Sequence, residues 1–399
     1  MMSGNRLKIK KFAARKIFTG TKERPWVTNG IVYLEDDGTI LNVSKDNALQ
    51  QEQAEVAYYD GILVPGLVNA HLHLELSWLE EPKKKFNGLS DFVGSMRKLN
   101  YGGVSNEYKE KKAALYDALM SAEGVVLAAD IVNTRLTVAL KRNSKVEYVN
   151  FVEVFGLLPV AATSKIKQAK TVYESFVASG LDAHFAPHST YALSSELYGK
   201  LAVLLRNENI SSIHFLEGKG EKSLFENAKR NEFAAVLKEF SAELPYDLWH
   251  GGTVNYLKGL FSPTTSLLLV HNTFSDKETV KSVKAEFPNA YFVLCPSSNW
   301  AVEQTMPSQE IFADYADFLL VGTDSTATNR TGMSLTGEMN LLLKAGWPLE
   351  TVLYAVTLNG AKALHKEVRY GSLEAGKKPG LTQLKIGYRN QIVEARKIL

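Results

Sequence analysis

The 399-residue sequence contains a single cysteine, Cys295, so no disulfide can form within the chain. Such sparing use of cysteine is typical of a reducing compartment, and we expect a cytoplasmic protein. No stretch approaches 18 consecutive apolar residues, and the basic N-terminus lacks the apolar segment of a secretory signal. We therefore expect neither a transmembrane helix nor a membrane partner.

The sequence also lacks an excess of charge of one sign, since 46 Lys and Arg residues face 43 Asp and Glu residues. A nucleic-acid-binding protein normally carries a concentrated basic patch. The densest basic runs, at 83–85 and 109–112, are short and flanked by acidic residues, as on a solvated loop or helix face. We therefore expect no nucleic-acid partner; the small-molecule substrate that we expect instead is implied by the family resemblance described below.

The two ends of the chain differ in pattern from its middle. Residues 7–64 predict short strands and turns, and the pair Asp37-Gly38 between two apolar-alternating segments predicts a hairpin. The 34 residues after 365 are turn-rich and too few to form a core of their own. We expect this C-terminal tail to complete the N-terminal β element.

Beyond Gly61, short apolar runs alternate with longer charged segments in which apolar residues recur at helical spacing. The predicted strands are ILVPGLVNAHLHL, VVLAADIV, VEYVNFVEVFG, LDAHFAPHSTY, ISSIHFLE, SLLLVHNTF, AYFVLCPSSN and FLLVGTDS. Eight such alternations favour an α/β fold of the (β/α)8 TIM-barrel type over an open doubly wound sheet.

Polar residues collect at the C-terminal ends of these predicted strands, where barrel enzymes place their catalytic groups. The residues are His71 and His73 on the first strand, His188 on the fourth, His214 on the fifth, His271 on the sixth and Asp324 on the eighth. Because side chains alternate along a strand, His71 and His73 face the same way and can reach one ion. A His-x-His pair alone favours a solvent-facing or hydrogen-bonded role over metal binding, but the whole set favours a Zn or Fe centre.

Six segments resemble, in order, the successive motifs of the amidohydrolase superfamily: PGLVNAHLHLELS, SIHFLE, LLLVHNTF, VLCPSSNW, LLVGTDSTATN and TLNGAKAL. The similarity is greatest to the branch of cyclic-amidine deaminases and triazine chlorohydrolases. It spans nearly the whole chain, because the N-terminal β segment and GSLEAGKKPG resemble that branch's two-part β-sandwich. The resemblance implies a small β-sandwich over residues 1–64 and 366–399, and a hydrolase barrel over 65–365.

The resemblance also implies roles for individual residues. The implied metal ligands are His71, His73, His214 and Asp324, while Glu217, His271 and Asp324 are the implied catalytic groups. His271 matches a histidine that contacts the metal-bound water, and Glu217 matches a carboxylate that shuttles protons. Two-metal members carry a carboxylated lysine at the end of strand 4, where this sequence has HFAPHSTY, so we expect one divalent ion per chain, Zn or Fe.

His188 and Glu75 are the predicted substrate contacts. His188 lies in APHSTY, which resembles a segment whose histidine contacts substrate, and a structural hydrogen-bonded role is its alternative. Glu75 shares a face with His71 and His73 if the strand persists, and it otherwise holds a histidine tautomer or faces solvent. His184, well before the end of its predicted strand, is expected to be structural.

The leading interpretation is a metal-dependent hydrolase that deaminates an aminated heterocycle, such as a purine or nucleoside, through a metal-bound hydroxide. Glu217 favours deamination because an amine is a poor leaving group until it is protonated. Triazine dechlorination, cyclic-amide hydrolysis and a catalytically inactive metal-binding homologue are the alternatives. Barrel hydrolases of this type often assemble, so the interpretation includes a homo-oligomer.

Overall fold

A computed structural model describes residues 9–45, 55–79, 85–99 and 101–399. The strands are β1 Lys10–Phe18, β2 Trp26–Leu34, β3 Ile40–Lys45, β4 Val56–Pro65, β5 Leu67–Leu72, β6 Val125–Val132, β7 Glu147–Val154, β8 Asp182–Pro187, β9 Ile210–Phe215, β10 Ser266–His271, β11 Ala290–Leu294, β12 Leu319–Val321, β13 Leu381–Ile386 and β14 Ile392–Lys397.

The α-helices are α1 Gly88–Arg97, α2 Asn106–Glu123, α3 Val138–Arg142, α4 Ala162–Val177, α5 Ser195–Leu205, α6 Lys219–Asn227, α7 Glu232–Leu237, α8 Tyr246–His250, α9 Thr253–Leu260, α10 Lys277–Glu286, α11 Pro296–Glu303, α12 Leu335–Lys344, α13 Leu349–Ala355 and α14 Leu358–Ala363. Short 3-10 helices cover Leu74–Leu76, Tyr101–Gly103, Pro159–Ala161, Ala228–Arg230, Gln309–Phe318 and Tyr388–Asn390. Among the described residues, no helix has both the length and the apolar character needed to cross a bilayer.

The terminal segments form one hydrogen-bonded sheet of six strands, in the order β14-β13-β4-β1-β2-β3. β2 and β3 make the hairpin predicted from Asp37-Gly38, and Gly38 adopts the positive φ of 87° that favours glycine in such a turn. β13 pairs antiparallel with β4, so the C-terminal tail does complete the N-terminal β element. The boundaries 1–64 with 366–399, and 65–365, stay a prediction, and residues 1–8 and 46–54 lie outside the described part of the chain.

The middle of the chain supplies eight parallel strands in two sheets of four, β5-β6-β7-β8 and β12-β11-β10-β9. Single bridges join the two sheets at both edges, Leu72 with Asp324 and Ser189 with His214. Every residue of β5, β6, β9 and β10 is buried, because strands covered on both faces carry continuous apolar runs. The predicted α/β barrel class is confirmed.

Most predicted strands are shorter than expected, and the first and the seventh show why. The first predicted strand divides at Gly66 into β4, which joins the terminal sheet, and β5, which joins the barrel. Only glycine fits at this point, because a Cβ on residue 66 would lie 2.4 Å from the carbonyl oxygen of Pro379. β5 then ends at Leu72, and Glu75 lies in the 3-10 turn Leu74–Leu76 instead of sharing a strand face with His71 and His73. The seventh strand ends at Leu294, because Pro296 begins helix α11.

Candidate active site

The predicted site residues meet where the two half-barrels join. At one seam the carbonyl oxygen of His71 accepts hydrogen bonds from the amides of Thr323 and Asp324, at 2.8 and 3.1 Å. At the other seam the amide of His214 donates to the carbonyl oxygen of His188, at 2.9 Å. Closure of the barrel therefore brings together residues that are far apart in sequence.

Four donor atoms converge in this buried region. Nε2 of His71 lies 3.2 Å from Nε2 of His214, and Oδ1 of Asp324 lies 3.5 Å from Nε2 of His71 and 3.4 Å from Nε2 of His73. Ligands about 2.0–2.1 Å from one tetrahedral zinc ion lie roughly 3.3–3.4 Å from one another. The donor atoms of His71, His214, His271 and Asp324 also all lie within 4.8 Å of each other. These distances fit one divalent ion.

The protonation states of the cluster agree with that fit. Burial lowers the pKa of His71 to about 4, and burial together with neighbouring imidazoles holds the pKa of His214 well below its usual value. Burial alone would raise the pKa of Asp324, but its hydrogen bond to His71 and the nearby imidazoles outweigh that effect and hold it well below its usual range. Metal ligands must be neutral imidazoles and ionised carboxylates.

Asn299 orients His271 at the end of β10. Nδ2 of Asn299 donates to the carbonyl oxygen of His271 at 3.1 Å, and Oδ1 of Asn299 lies 3.0 Å from Nδ1 of His271. This arrangement of the amide places the ring proton on Nδ1 and leaves Nε2 as the acceptor in the neutral ring. Nε2 faces Oε1 of Glu217 at 3.8 Å.

Glu217 is held beside His271 by its own neighbours. The hydroxyl of Tyr191 donates to Oε2 of Glu217 at 3.2 Å. The fully buried carboxylate of Glu221 accepts from the amides of Leu216 and Glu217, at 2.9 and 2.8 Å, and from Oγ1 of Thr190. Burial raises the pKa of Glu221 to about 7. Glu217 therefore extends from a backbone that a second, buried carboxyl group fixes.

Left-handed backbone occurs at three of these strand ends. His271, Asp324 and Leu216 are not glycine, yet they adopt φ values of 78°, 57° and 47°. Such conformations cost free energy in residues with a side chain, and they persist where surrounding contacts enforce them. Here the backbone amide of Leu216 donates a hydrogen bond to the carboxylate of Glu221, and that of Asp324 donates to the carbonyl oxygen of His71. These hydrogen bonds are contacts of that kind.

His188 lies in the wall of side chains around the donor cluster. Its ring centre is 4.6 Å from that of His214, and Nδ1 of His188 is paired with Oε1 of Glu153. Burial would lower the pKa of His188, but the charge of Glu153 outweighs burial and raises it. Nδ2 of Asn133 donates to Oε2 of Glu153 at 2.8 Å, which fixes the carboxylate.

Glu75 lies next to this wall but turns towards the segment after β6. Its carboxylate accepts from the amides of Asn133 and Thr134, at 2.9 and 3.1 Å, and from Oγ1 of Thr134 at 2.9 Å. Both oxygens are thus engaged within the protein. These bonds join Glu75 to Asn133 and Thr134, and both its contact with substrate and its role in holding a histidine tautomer stay predictions.

The sequence-based interpretation assigned no role to Glu153, Tyr191 or Glu221, and it considered Asn299 as a contact of substrate or of the strand 8 loop and not of His271. Tyr191 stands in APHSTY, the segment that pointed to His188, and Asn299 stands in a motif that carried the family resemblance. Glu153 and Glu221 carried no signal, because a glutamate near a strand end or in a charged helix is ordinary in any sequence.

Comparison with known proteins identifies the family. The model of the amidohydrolase family matches residues 62–395. The chain belongs to the amidohydrolase family. This amidohydrolase is 27% identical over 355 residues to an adenosine deaminase of Helicobacter pylori, a match that covers 86% of this chain and 83% of the relative. It is 25% identical to the 5-methylthioadenosine/S-adenosylhomocysteine deaminase of Thermoanaerobacter pseudethanolicus, with 92% and 82% covered.

A crystal structure of Helicobacter pylori aminofutalosine deaminase in complex with methylthio-coformycin has the same fold as this amidohydrolase. The two superpose with a TM-score of 0.82 at 22% identity, covering 98% of this chain and all of the other. The predicted superfamily and branch are therefore confirmed. The predicted class of enzyme, a hydrolase of C–N bonds that deaminates an aminated heterocycle, is confirmed by the same relatives.

Proposed function

We propose that this amidohydrolase removes the exocyclic amino group of an adenine nucleoside, with one zinc ion held by His71, His73, His214 and Asp324. The donor distances of 3.2–3.5 Å within this set support a single ion. The names of the relatives, which are deaminases of adenosine or adenosine derivatives, support the substrate class.

The position of Glu217 carries the proposal of deamination. Its Oε1 lies 3.8 Å from Nε2 of His271, so a carboxyl group is available beside the donor cluster. An amine must be protonated before it can leave, whereas chloride leaves from a triazine without a proton. A buried carboxyl group at this place therefore favours loss of ammonia.

The chemistry requires the addition of water to a ring carbon and the loss of ammonia from it. A divalent ion held by these donors acts as a Lewis acid that activates water near neutral pH. Glu217 would donate a proton to the ring nitrogen next to the reacting carbon, where that proton stays. It would then carry a second proton from the added oxygen to the amine, so that the C–N bond breaks and a carbonyl remains.

Three residues would complete the orientation of the reactants. His271, held through Asn299, would orient the reactants with its Nε2, which lies 3.8 Å from Oε1 of Glu217, and Oδ1 of Asp324 would accept a proton from the attacking oxygen. The ring of His188 lies beside that of His214, its side chain is 29% exposed, and it would contact the substrate.

The proposal also includes the location of the protein in the cell and its assembly. We assign it to the cytoplasm on its single cysteine, and we expect a homo-oligomer. Elemental analysis and light scattering of the purified protein measure the metal and the assembly, and two metal ions per chain would contradict the single site.

Ammonia release tests the function. The zinc-loaded protein is assayed with adenosine, 5′-deoxyadenosine, 5′-methylthioadenosine and S-adenosylhomocysteine, and with guanine and a chlorotriazine as comparisons. We expect ammonia from at least one adenosine derivative and no chloride from the triazine. Chloride release, or no ammonia from any nucleoside by protein that holds its zinc, would overturn the proposal.

A further inference from the structure

A buried ion pair lies beneath the turn that carries His73. Asp130 belongs to β6, in register with Leu72 of β5, and Lys141 belongs to the short helix α3. The side chains of Asp130 and Lys141 have no exposed surface, and they pair through Nζ and Oδ2. Neither residue touches the donor cluster, and neither has a part in the chemistry above.

Lys141 is built into this place by several contacts. Besides Asp130, Nζ donates to Oδ1 of Asn150 at 2.5 Å, and it faces the rings of Tyr148 and Phe176 at 4.9 and 5.2 Å. Burial of two charges costs more free energy than burial of apolar side chains of the same size. A pair kept at such a cost is a candidate for a role beyond packing.

The second carboxylate oxygen of Asp130, Oδ1, contacts the turn that follows His73. Oδ1 accepts a hydrogen bond from the amide of Leu74 at 2.8 Å. β5 has ended at Leu72, so the Leu74 amide has no strand partner, and the carboxylate takes the place of one. Leu74 directly follows His73, and Glu75 binds the amides of Asn133 and Thr134, just beyond β6. The turn is thus attached both to β6, through Asp130, and to the segment that follows β6, through Glu75.

We propose that Asp130 and Lys141 are positioning residues for the metal centre. Lys141 holds the carboxylate of Asp130, Asp130 holds the Leu74 amide, and the turn keeps Nε2 of His73 at 3.4 Å from Oδ1 of Asp324. The inference rests on the zinc site proposed above. Outer partners of this kind typically contribute a factor of about 10–100 to metal affinity.

Two neutral double variants separate the hydrogen bond from the charge. Lys141→Met with Asp130→Asn removes both charges and keeps an oxygen that can accept from the Leu74 amide. Lys141→Met with Asp130→Leu removes both charges and the acceptor. Zinc affinity is measured by competition with a chromophoric chelator on chelator-stripped protein, and the melting temperature is recorded for each metal-free variant.

We expect the Asn variant to bind zinc nearly as tightly as the wild type, and the Leu variant to bind it about 10–100-fold more weakly. Asp117→Asn is the matched control, because Asp117 is buried in the same region and accepts from Tyr148 at 2.7 Å. Within the described residues it has no hydrogen bond to the turn. This control should lower the melting temperature and leave zinc affinity unchanged.

Equal zinc affinity of the Asn and Leu variants would overturn the inference, since the pair would then serve packing alone. Should the Leu variant not fold, Asp130→Ala with Lys141→Met replaces it, with the same expectation. A wild type that binds no zinc would remove both the metal site and this inference. Because affinity is read without substrate, failure to deaminate a nucleoside counts against the proposed function alone.

Discussion

The two ends of the barrel use histidine in opposite ways. At the C-terminal rim, His71 and His214 lie among other imidazoles, and burial lowers the pKa of both. At the N-terminal end, His184 of β8 lies 3.1 Å from Oδ1 of Asp182 and 2.7 Å from Oε2 of Glu208. Burial would lower its pKa, but the two carboxylates outweigh burial and raise the pKa to about 9.

The difference comes from the carboxylates around each ring. At the rim, burial and the neighbouring imidazoles lower the pKa of His71 and His214, so these two rings stay neutral and can donate lone pairs. His184 lies between two carboxylates, those of Asp182 and Glu208, and stays charged in an ion network in which Lys366 also pairs with Asp182. In barrel enzymes the C-terminal rim carries the catalytic residues, and the N-terminal end contributes to stability. Substitutions at the C-terminal rim should therefore change activity more than stability, and substitutions at the N-terminal end should change stability more than activity.

Replacement of the proposed proton shuttle should give the largest effect. Glu217→Gln keeps the shape of the side chain but not its ability to carry a proton, so we expect kcat to fall about 10²–10⁴-fold. Metal content and melting temperature should stay as in the wild type. Ammonia release and elemental analysis measure the two quantities.

The control for Glu217→Gln is Glu226→Gln, because Glu226 is an exposed glutamate on helix α6, which begins two residues after Glu217. It should retain full activity. If Glu217→Gln also kept full activity, Glu217 would not be the proton carrier of the C-terminal rim.

Loss of the Asn299 amide should give the next effect. Asn299→Leu frees the ring of His271 from its 3.0 Å contact, and we expect kcat to fall about 10–100-fold with little change in melting temperature. Asn299→Asp retains an oxygen for Nδ1 and should recover part of the activity. Wild-type kcat in Asn299→Leu would show that His271 needs no such orientation.

At the opposite end, His184→Gln should lower stability in a pH-dependent way. The folded-state pKa is raised to about 9, above the unfolded value, so the stabilisation is present below about pH 6.5 and is lost as the pH rises through 9. We expect the variant to lose on the order of 2 kcal/mol more at about pH 6 than at about pH 10. Urea unfolding at both pH values measures this, and a difference independent of pH would contradict a charged His184.

The smallest effect should come from Lys366→Gln at the same end. Nζ of Lys366 lies 2.9 Å from Oδ2 of Asp182 and 3.3 Å from Oε1 of Glu147, but the pairs are partly solvated. Such ion pairs contribute about 0.5 kcal/mol or less, and salt screens them. Unfolding at low and high salt measures the loss, and a loss as large as that of His184→Gln would remove the distinction between buried and solvated charges.

Much of this molecule follows from local sequence patterns. Eight apolar runs predicted the eight barrel strands, and Asp37-Gly38 predicted its hairpin, because strand burial and turn geometry act over a few residues. The motifs around His71, His214 and Asp324 predicted residues that converge at one rim. The ends of the elements were less predictable, since β5 stops at Leu72 and the amide of Leu74 binds the Asp130 side chain instead of a strand partner.

The sequence by itself determined the strand–helix alternation, the family and the residue types gathered at the strand ends. Only the tertiary structure decided which groups support them: Asn299 behind His271, Glu221 behind Glu217, and Asp130 with Lys141 beneath His73. Those contacts join residues on different strands and helices, so neither spacing nor periodicity records them. A histidine's protonation is likewise set by the carboxylates that the fold places around it, as His184 and His214 show.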